Sequence, residues 1–192
     1  MTLRRALRSL GTVVLIACLL CCLPRGAQAQ GVPQETRLKA IYLRKILSFV
    51  QWPAGAIPAE NRTFQFCVEG DHLLGFALAQ ELRSITIDDR TVEVRWAPKE
   101  QDLRRCQALF VGASEEKRFA KVPDSAKGTN VLTIGEANGF LDAGGVVQLS
   151  QEGNVIRFQI NLAAARNAGL KMDARLLALA QRVVKGSEGP GG

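Results

Sequence analysis

The chain has 192 residues, 47% apolar and 22% charged, with 25 Lys and Arg against 18 Asp and Glu, a formal charge of +7. This is globular composition, neither disordered nor fibrous. The length suits one domain, two at most, and is long enough to bury a core without relying on disulfide or metal staples.

The charge is misleading until residues 1–29 are set aside. Arg4, Arg5 and Arg8 form a basic start, Thr12 to Leu23 is mostly apolar, Pro24 breaks the run and Ala27-Gln28-Ala29 is an A-x-A cleavage site. The apolar run falls short of the roughly 20 residues a spanning helix needs. The segment reads as a secretory signal peptide cleaved after Ala29. An uncleaved anchor is the alternative that the A-x-A site argues against. Lipidation at Cys18, within Leu15-Ile16-Ala17-Cys18, would leave Leu19 to Leu23 on the mature chain. Four arginines and no acids leave with residues 1–29, so 25 basic residues fall to 21 against 18 acids, a net +3. Nothing concentrates that charge into the stripe a nucleic-acid binder shows, and no nucleic-acid partner is expected. Cys18, Cys21 and Cys22 leave too, and Cys67 and Cys106 remain.

After a polar lead-in, Gln34 to Gln51 has helical periodicity, with Leu38, Ile41, Tyr42, Ile46 and Phe49 on one stripe and Arg37, Lys39 and Arg44 opposite. Pro53 is expected to end this helix, and Trp52 at its exit to plug the core. Thr63 to Val68 reads as a strand, and Gly70-Asp71 turns into an apolar-periodic helix from Leu73 to Leu82 with Asp71 as N-cap. Ile85–Ile87 and Thr91–Trp96 alternate around Asp88-Asp89-Arg90 and suggest a hairpin. Gln101 to Arg105 suggests a helical turn.

Ala108 to Val111 is a short apolar run typical of a strand buried on both faces. Ser114 opens a capped helical turn, and Val131 to Ile134 is a second buried strand. Glycines at 135, 139, 144 and 145 lead into Val146–Leu149 and Asn154–Ile160, which alternate around Glu152-Gly153 as an antiparallel hairpin. Leu162 to Asn167 is helical and ends at Gly169. Asp173 caps a last helix carrying Met172, Leu176, Leu179, Ala180 and Val183, and 186–192 is a flexible tail. No repeat or linker interrupts 30–185, so one compact α/β domain is expected there: a mixed, mostly parallel sheet, a C-terminal antiparallel hairpin and flanking helices.

Catalytic machinery is thin. His72 is the only histidine, too few for a multi-histidine metal site, and no G-x-S-x-G elbow supplies a nucleophile for it. It reads as a first-turn helix residue. Gly135 to Gly145 lacks the Lys-Ser/Thr of a P-loop and opens a hairpin rather than a helix, so turn geometry is its expected role. No catalytic residue, cofactor or metal is assigned. Cys67 and Cys106 are not C-x-x-C; an even pair in an exported chain suggests a disulfide, the alternative being two buried free thiols. If their strands are parallel neighbours in simple register, the Cα atoms exceed the roughly 7 Å limit unless the loop at Arg104-Arg105 folds back.

An ordered set of segments carries a resemblance. It comprises Phe49-Val50-Gln51-Trp52-Pro53, Phe66-Cys67-Val68-Glu69-Gly70-Asp71, Cys106 to Val111, Val131 to Ile134 with Gly139-Phe140 and Gly144-Gly145, Asn154 to Leu162, Ala168 to Lys171 and Leu176 to Ala180. Over about residues 34–184 the chain resembles the YfiR family of exported bacterial proteins. The resemblance implies a non-enzymatic periplasmic regulator. Such a protein binds the periplasmic sensor portion of an inner-membrane diguanylate cyclase, represses it and lowers cyclic-di-GMP, with effects on biofilm and motility. An outer-membrane lipoprotein is an implied second partner and a homodimer an implied assembly. Cys67 and Cys106 fall at the family's disulfide positions. A second cysteine pair of some members is missing; Leu141 and Gln148 stand in that neighbourhood, so a redox role resting on that pair is not carried over. A periplasmic small-molecule binder, an adaptor for another membrane sensor such as a histidine kinase, and a hydrolase are the competing readings. Candidate binding faces are the basic side of the first helix, Gly139–Gly145 and Arg157–Asn161, where Asn161 also suits a helix cap.

Overall fold

The computed structural model describes residues 31–96, 103, 105–115, 126 and 128–185. The expected signal peptide at 1–29, the expected tail 186–192, most of the turn expected at 101–105 and the continuation of the turn expected from Ser114 lie outside the described residues. The elements in chain order are α1 (Gln34–Ser48), β1 (Val50–Gln51), β2 (Thr63–Glu69), α2 (His72–Leu82), β3 (Thr86–Ile87), β4 (Arg90–Trp96), β5 (Ala108–Val111), β6 (Leu132–Gly135), β7 (Val147–Glu152), β8 (Val155–Asn161), α3 (Leu162–Asn167), β9 (Lys171–Met172), α4 (Ala174–Leu179) and β10 (Arg182–Val184).

Eight strands form one sheet in the order β10-β8-β7-β6-β5-β2-β4-β3. Strands β4, β2, β5, β6 and β7 are parallel neighbours, β7–β8 and β3–β4 are antiparallel pairs, and β10 runs parallel to β8. The sheet is mixed and mostly parallel, with the late hairpin antiparallel. The β4-β2-β5-β6-β7 order makes the chain reverse direction across the sheet beside β2, a topological switch point.

Alternation along the strands sorts side chains to two faces. Phe64, Phe66, Val68, Ala108, Phe110, Leu132, Ile134, Val147, Leu149, Phe158 and Ile160 join Ala40, Leu43, Ile46 and Leu47 of α1 and Leu74, Leu78 and Leu82 of α2 in the main core. The opposite face buries a smaller cluster of Cys67, Leu103, Cys106, Leu109, Val111 and Val131. Trp52 closes the main core, 8% exposed, edge-on to Phe64 at 4.8 Å, with its indole N–H donating to the Gln107 carbonyl at 3.2 Å.

Two boundaries differ from the sequence expectation. The first helix ends at Ser48, before Pro53, because Val50 and Gln51 pair with Met172 and Lys171 as the β1–β9 ladder and the Asp173 N–H donates to the Phe49 carbonyl. Its fully buried stripe is Ala40, Leu43, Ile46 and Leu47, with Leu38, Tyr42 and Phe49 only partly buried beside it. The last helix stops at Leu179. Ala180 is extended, and Val183 pairs with Ile160 and Val184 with Asn161 in β10. In both places β-branched residues at a helix end find strand partners that periodicity does not reveal.

Candidate partner-binding surface

Cys67 and Cys106 are joined by a disulfide, with Cα atoms 5.8 Å apart. In the parallel β2–β5 register Cys67 stands beside Leu109, so Cys106 lies ahead of its partner strand. The chain reaches back through a tight turn in which the Cys106 N–H donates to the Leu103 carbonyl, and the Gln107 N–H then joins the Gln65 carbonyl. This turn is the fold-back the distance limit demanded. Both cysteines are buried, at 3% and 1% exposure.

Above the disulfide lies a groove of about 650 Å³, lined by Thr63, Gln65, Arg95, Trp96, Arg105 and Gln107 among others. The Gln65 amide donates to Thr63 Oγ1 and to Glu93 Oε2, and Arg95 reaches the same Glu93 oxygen at 3.0 Å. The Gln65 hydrogen bond first, then Arg95, holds the Glu93 carboxyl below its ordinary range. Gln65 Oε1 is buried without a hydrogen-bond partner among the described residues.

On the helix-covered face, at the edge of the sheet, Leu73, Phe76 and Trp96 are 55%, 58% and 53% exposed, three of five large apolar side chains so exposed among the described residues. The patch follows from local structure. The Asp71 carboxylate accepts from the Leu74 N–H and starts α2, which buries Leu74, Ala77, Leu78 and Leu82 and leaves Leu73 and Phe76 outside. The Trp96 ring lies against Gly75, where a Cβ would stand 2.5 Å from it, and 4.4 Å from the His72 ring. Sequence reading placed Leu73 in the helix and Trp96 in the strand and missed the surface they make. The available signal was a helix apolar on more than one side, which a single buried face does not require.

The other candidate faces are differently occupied. On α1, Lys39 bridges Glu136 at 2.7 Å and Glu35 at 3.3 Å, and Arg44 pairs with Glu81 at 3.6 Å. Burial alone would lower the Lys39 pKa, but its bonds to Glu136 and Glu35 outweigh it and the pKa is raised. Within Gly139–Gly145 the loop turns Phe140 and Leu141 into the interior. The Leu141 N–H points to Gln148 Oε1 at 3.4 Å, so these two residues meet without a cysteine pair. Arg157 stands outward on β8, 3.8 Å from Glu152. Asn161 caps α3 by accepting from the Ala164 N–H. His72 is an exposed first-turn residue of α2. At the switch point, where open α/β sheets hold ligands, Ser114 donates to the Gly70 carbonyl, and a Cβ on Gly70 would stand 2.6 Å from the Glu115 side chain. Ser114 and Glu115 thus pack against Gly70 at that point.

Among solved structures, an ABC domain in complex with L-Trp from Streptococcus pneumonia is 11% identical over 78% of this chain and 60% of its own, with a TM-score of 0.47. A conserved domain protein from Vibrio cholerae is 12% identical over 77% and 60%, also with a TM-score of 0.47. The chain thus spans about three fifths of the length of these structures. A model of the YfiR/HmsC-like family matches residues 36–181, from the first turn of α1 to just past α4. The chain belongs to the YfiR/HmsC-like family.

Proposed function

We propose that this protein is a non-enzymatic periplasmic regulator that binds the periplasmic sensor portion of an inner-membrane diguanylate cyclase and holds it inactive. Family membership over residues 36–181 carries the reading. The exposed Leu73 and Phe76 of α2, with the exposed Trp96 packed on the same helix at Gly75, support it, because large apolar side chains left exposed on a folded domain mark interaction sites. The mechanism is a shift in population: the regulator represses to the extent that it binds the inactive arrangement of the cyclase more tightly than the active one. Crosslinking the mature protein in cells and identifying the captured membrane protein tests the partner. Recovery of a protein with a diguanylate cyclase domain supports the reading. Recovery of a histidine kinase alone replaces it with the adaptor reading.

A small-molecule-binding role is favoured by one observation. The groove over the disulfide, about 650 Å³, lies within the range of ligand sites, and the unpartnered Gln65 acceptor is on its wall. Thermal unfolding with amino acids and aromatic compounds at micromolar concentration tests it. A raised midpoint that is lost in Gln65→Ala supports this role, and unchanged midpoints count against it.

A further inference from the structure

One edge of the sheet is open on the side where Trp96 is exposed. Strand β4 pairs along Thr91–Trp96 with β2, but on its outer side β3 reaches only Arg90 and Thr91. Val92 to Trp96 therefore has no strand neighbour there among the described residues. The phase of the edge follows from the hairpin. Ile87 and Arg90 close the two-residue Asp88-Asp89 turn, whose residues have φ of 47° and 61°, so the Arg90 backbone N–H and C=O face β3. Every second residue repeats that orientation, and Val92, Val94 and Trp96 turn their backbone groups outward.

Natural sheet edges are commonly blunted by a proline, a bulge or a charge directed inward. Val92 to Trp96 holds no proline and pairs with β2 residue for residue. On the helix-covered face Val92 and Val94 pack against the main core, and Trp96, like Leu73 and Phe76 of α2, stays half exposed. Glu93 and Arg95 stand on the other face, 45% and 65% exposed and 3.0 Å apart. The open stretch therefore offers unpaired backbone groups, an apolar side and an ordered pair of opposite charges along roughly 17 Å of one strand.

We propose that the outer edge of β4 receives an extended segment of another protein, which adds to the sheet as an antiparallel strand. Antiparallel addition is the more stable of the two pairings. The register dictates the chemistry of the segment. Residues opposite Val92, Val94 and Trp96 exchange backbone hydrogen bonds with them and lay apolar side chains on the helix-covered face. The residue opposite Arg95 is acidic and the one opposite Glu93 is basic, each completing a cross-strand pair. Read from its N-terminal end, the segment runs apolar, acidic, apolar, basic, apolar. The inference goes beyond the regulator reading, since it holds or fails whichever membrane protein crosslinking recovers.

The probe is a capped synthetic peptide running threonine, valine, aspartate, valine, lysine, valine, threonine, titrated into the mature protein up to ~1 mM. Hydrogen exchange is the readout. The amides of Val92, Val94 and Trp96 should become at least ~10-fold better protected at saturation. N-methylation of the three valines removes the peptide N–H groups that face β4 and should abolish that protection. N-methylation of the aspartate and lysine, whose N–H groups face away, should change the affinity by less than ~2-fold. Exchanging aspartate and lysine in the peptide should weaken binding at least ~3-fold, and the double variant Glu93→Arg, Arg95→Glu should restore it. No protection of the three edge amides, or equal sensitivity to methylation at both sets of positions, would overturn the proposal. Binding that survives valine methylation and is lost on methylation of the charged residues would overturn the antiparallel register.

Discussion

Phe140 fills the space that Gly145 leaves empty. Gly145 donates its N–H to the Phe140 carbonyl at 2.9 Å, and a Cβ at Gly145 would overlap the Phe140 ring, which is fully buried. Gly135 on β6 borders the same ring in the same way. Two glycines that read as turn formers are there to admit an aromatic plug between β6 and β7.

Gly145→Ala should therefore destabilise the domain by about 2–3 kcal/mol, since neither the ring nor the adjoining carbonyl has room to retreat. Urea unfolding measures it. A midpoint unchanged from the parent would mean the plug relaxes freely.

Gly75→Ala should behave in the opposite way. The neighbour of its new Cβ is the outer part of the Trp96 ring, which is half exposed and free to swing away. The helix interior gains about 0.5–1 kcal/mol from alanine. Stability should rise by up to that amount, while tryptophan emission shifts to the red as Trp96 leaves α2. A loss of more than ~1 kcal/mol would show that the ring is held in place.

Reducing the Cys67–Cys106 bond, which closes a separation of 39 residues, should lower stability by about 4 kcal/mol in the chain-entropy model. Unfolding with and without reductant gives the value, and equal midpoints would contradict it. Under the proposed function reduction also releases repression, so partner binding unchanged after reduction would separate the bond from regulation.

Lys39 fastens α1 to Glu136, just beyond β6, with both side chains about 15% exposed. Lys39→Met should cost about 1–3 kcal/mol, because it strands the Glu136 carboxylate in a mostly buried place. The paired pKa lies above 10.5. The contribution is therefore whole below pH 10.5 and fades as pH rises through the higher folded value. The parent should lose stability on that alkaline limb faster than Lys39→Met, and parallel pH profiles would contradict the assignment.

The parts legible in the sequence were those written in local chemistry. Asp71, Asn161 and Asp173 cap the helices that follow them. Glycine and aspartate turns mark both hairpins, and unbroken apolar runs mark β5 and β6. What escaped depends on distant partners. Val50-Gln51 and Val183 looked helical because only strands elsewhere in the chain, β9 and β8, make them extended. Lys39 counted only as part of the basic side of the first helix, because its partner Glu136 lies 97 positions away in sequence. The Leu73–Phe76–Trp96 surface escaped because apolar residues in a strand and a helix read as core until burial separates those inside from those outside.

Repression of a diguanylate cyclase would show in the cellular level of cyclic-di-GMP. The comparison is between a strain lacking this gene and the same strain complemented with it. Cyclic-di-GMP should rise clearly on deletion and fall back on complementation. An unchanged level, with the protein shown to be expressed in the complemented strain, would contradict it.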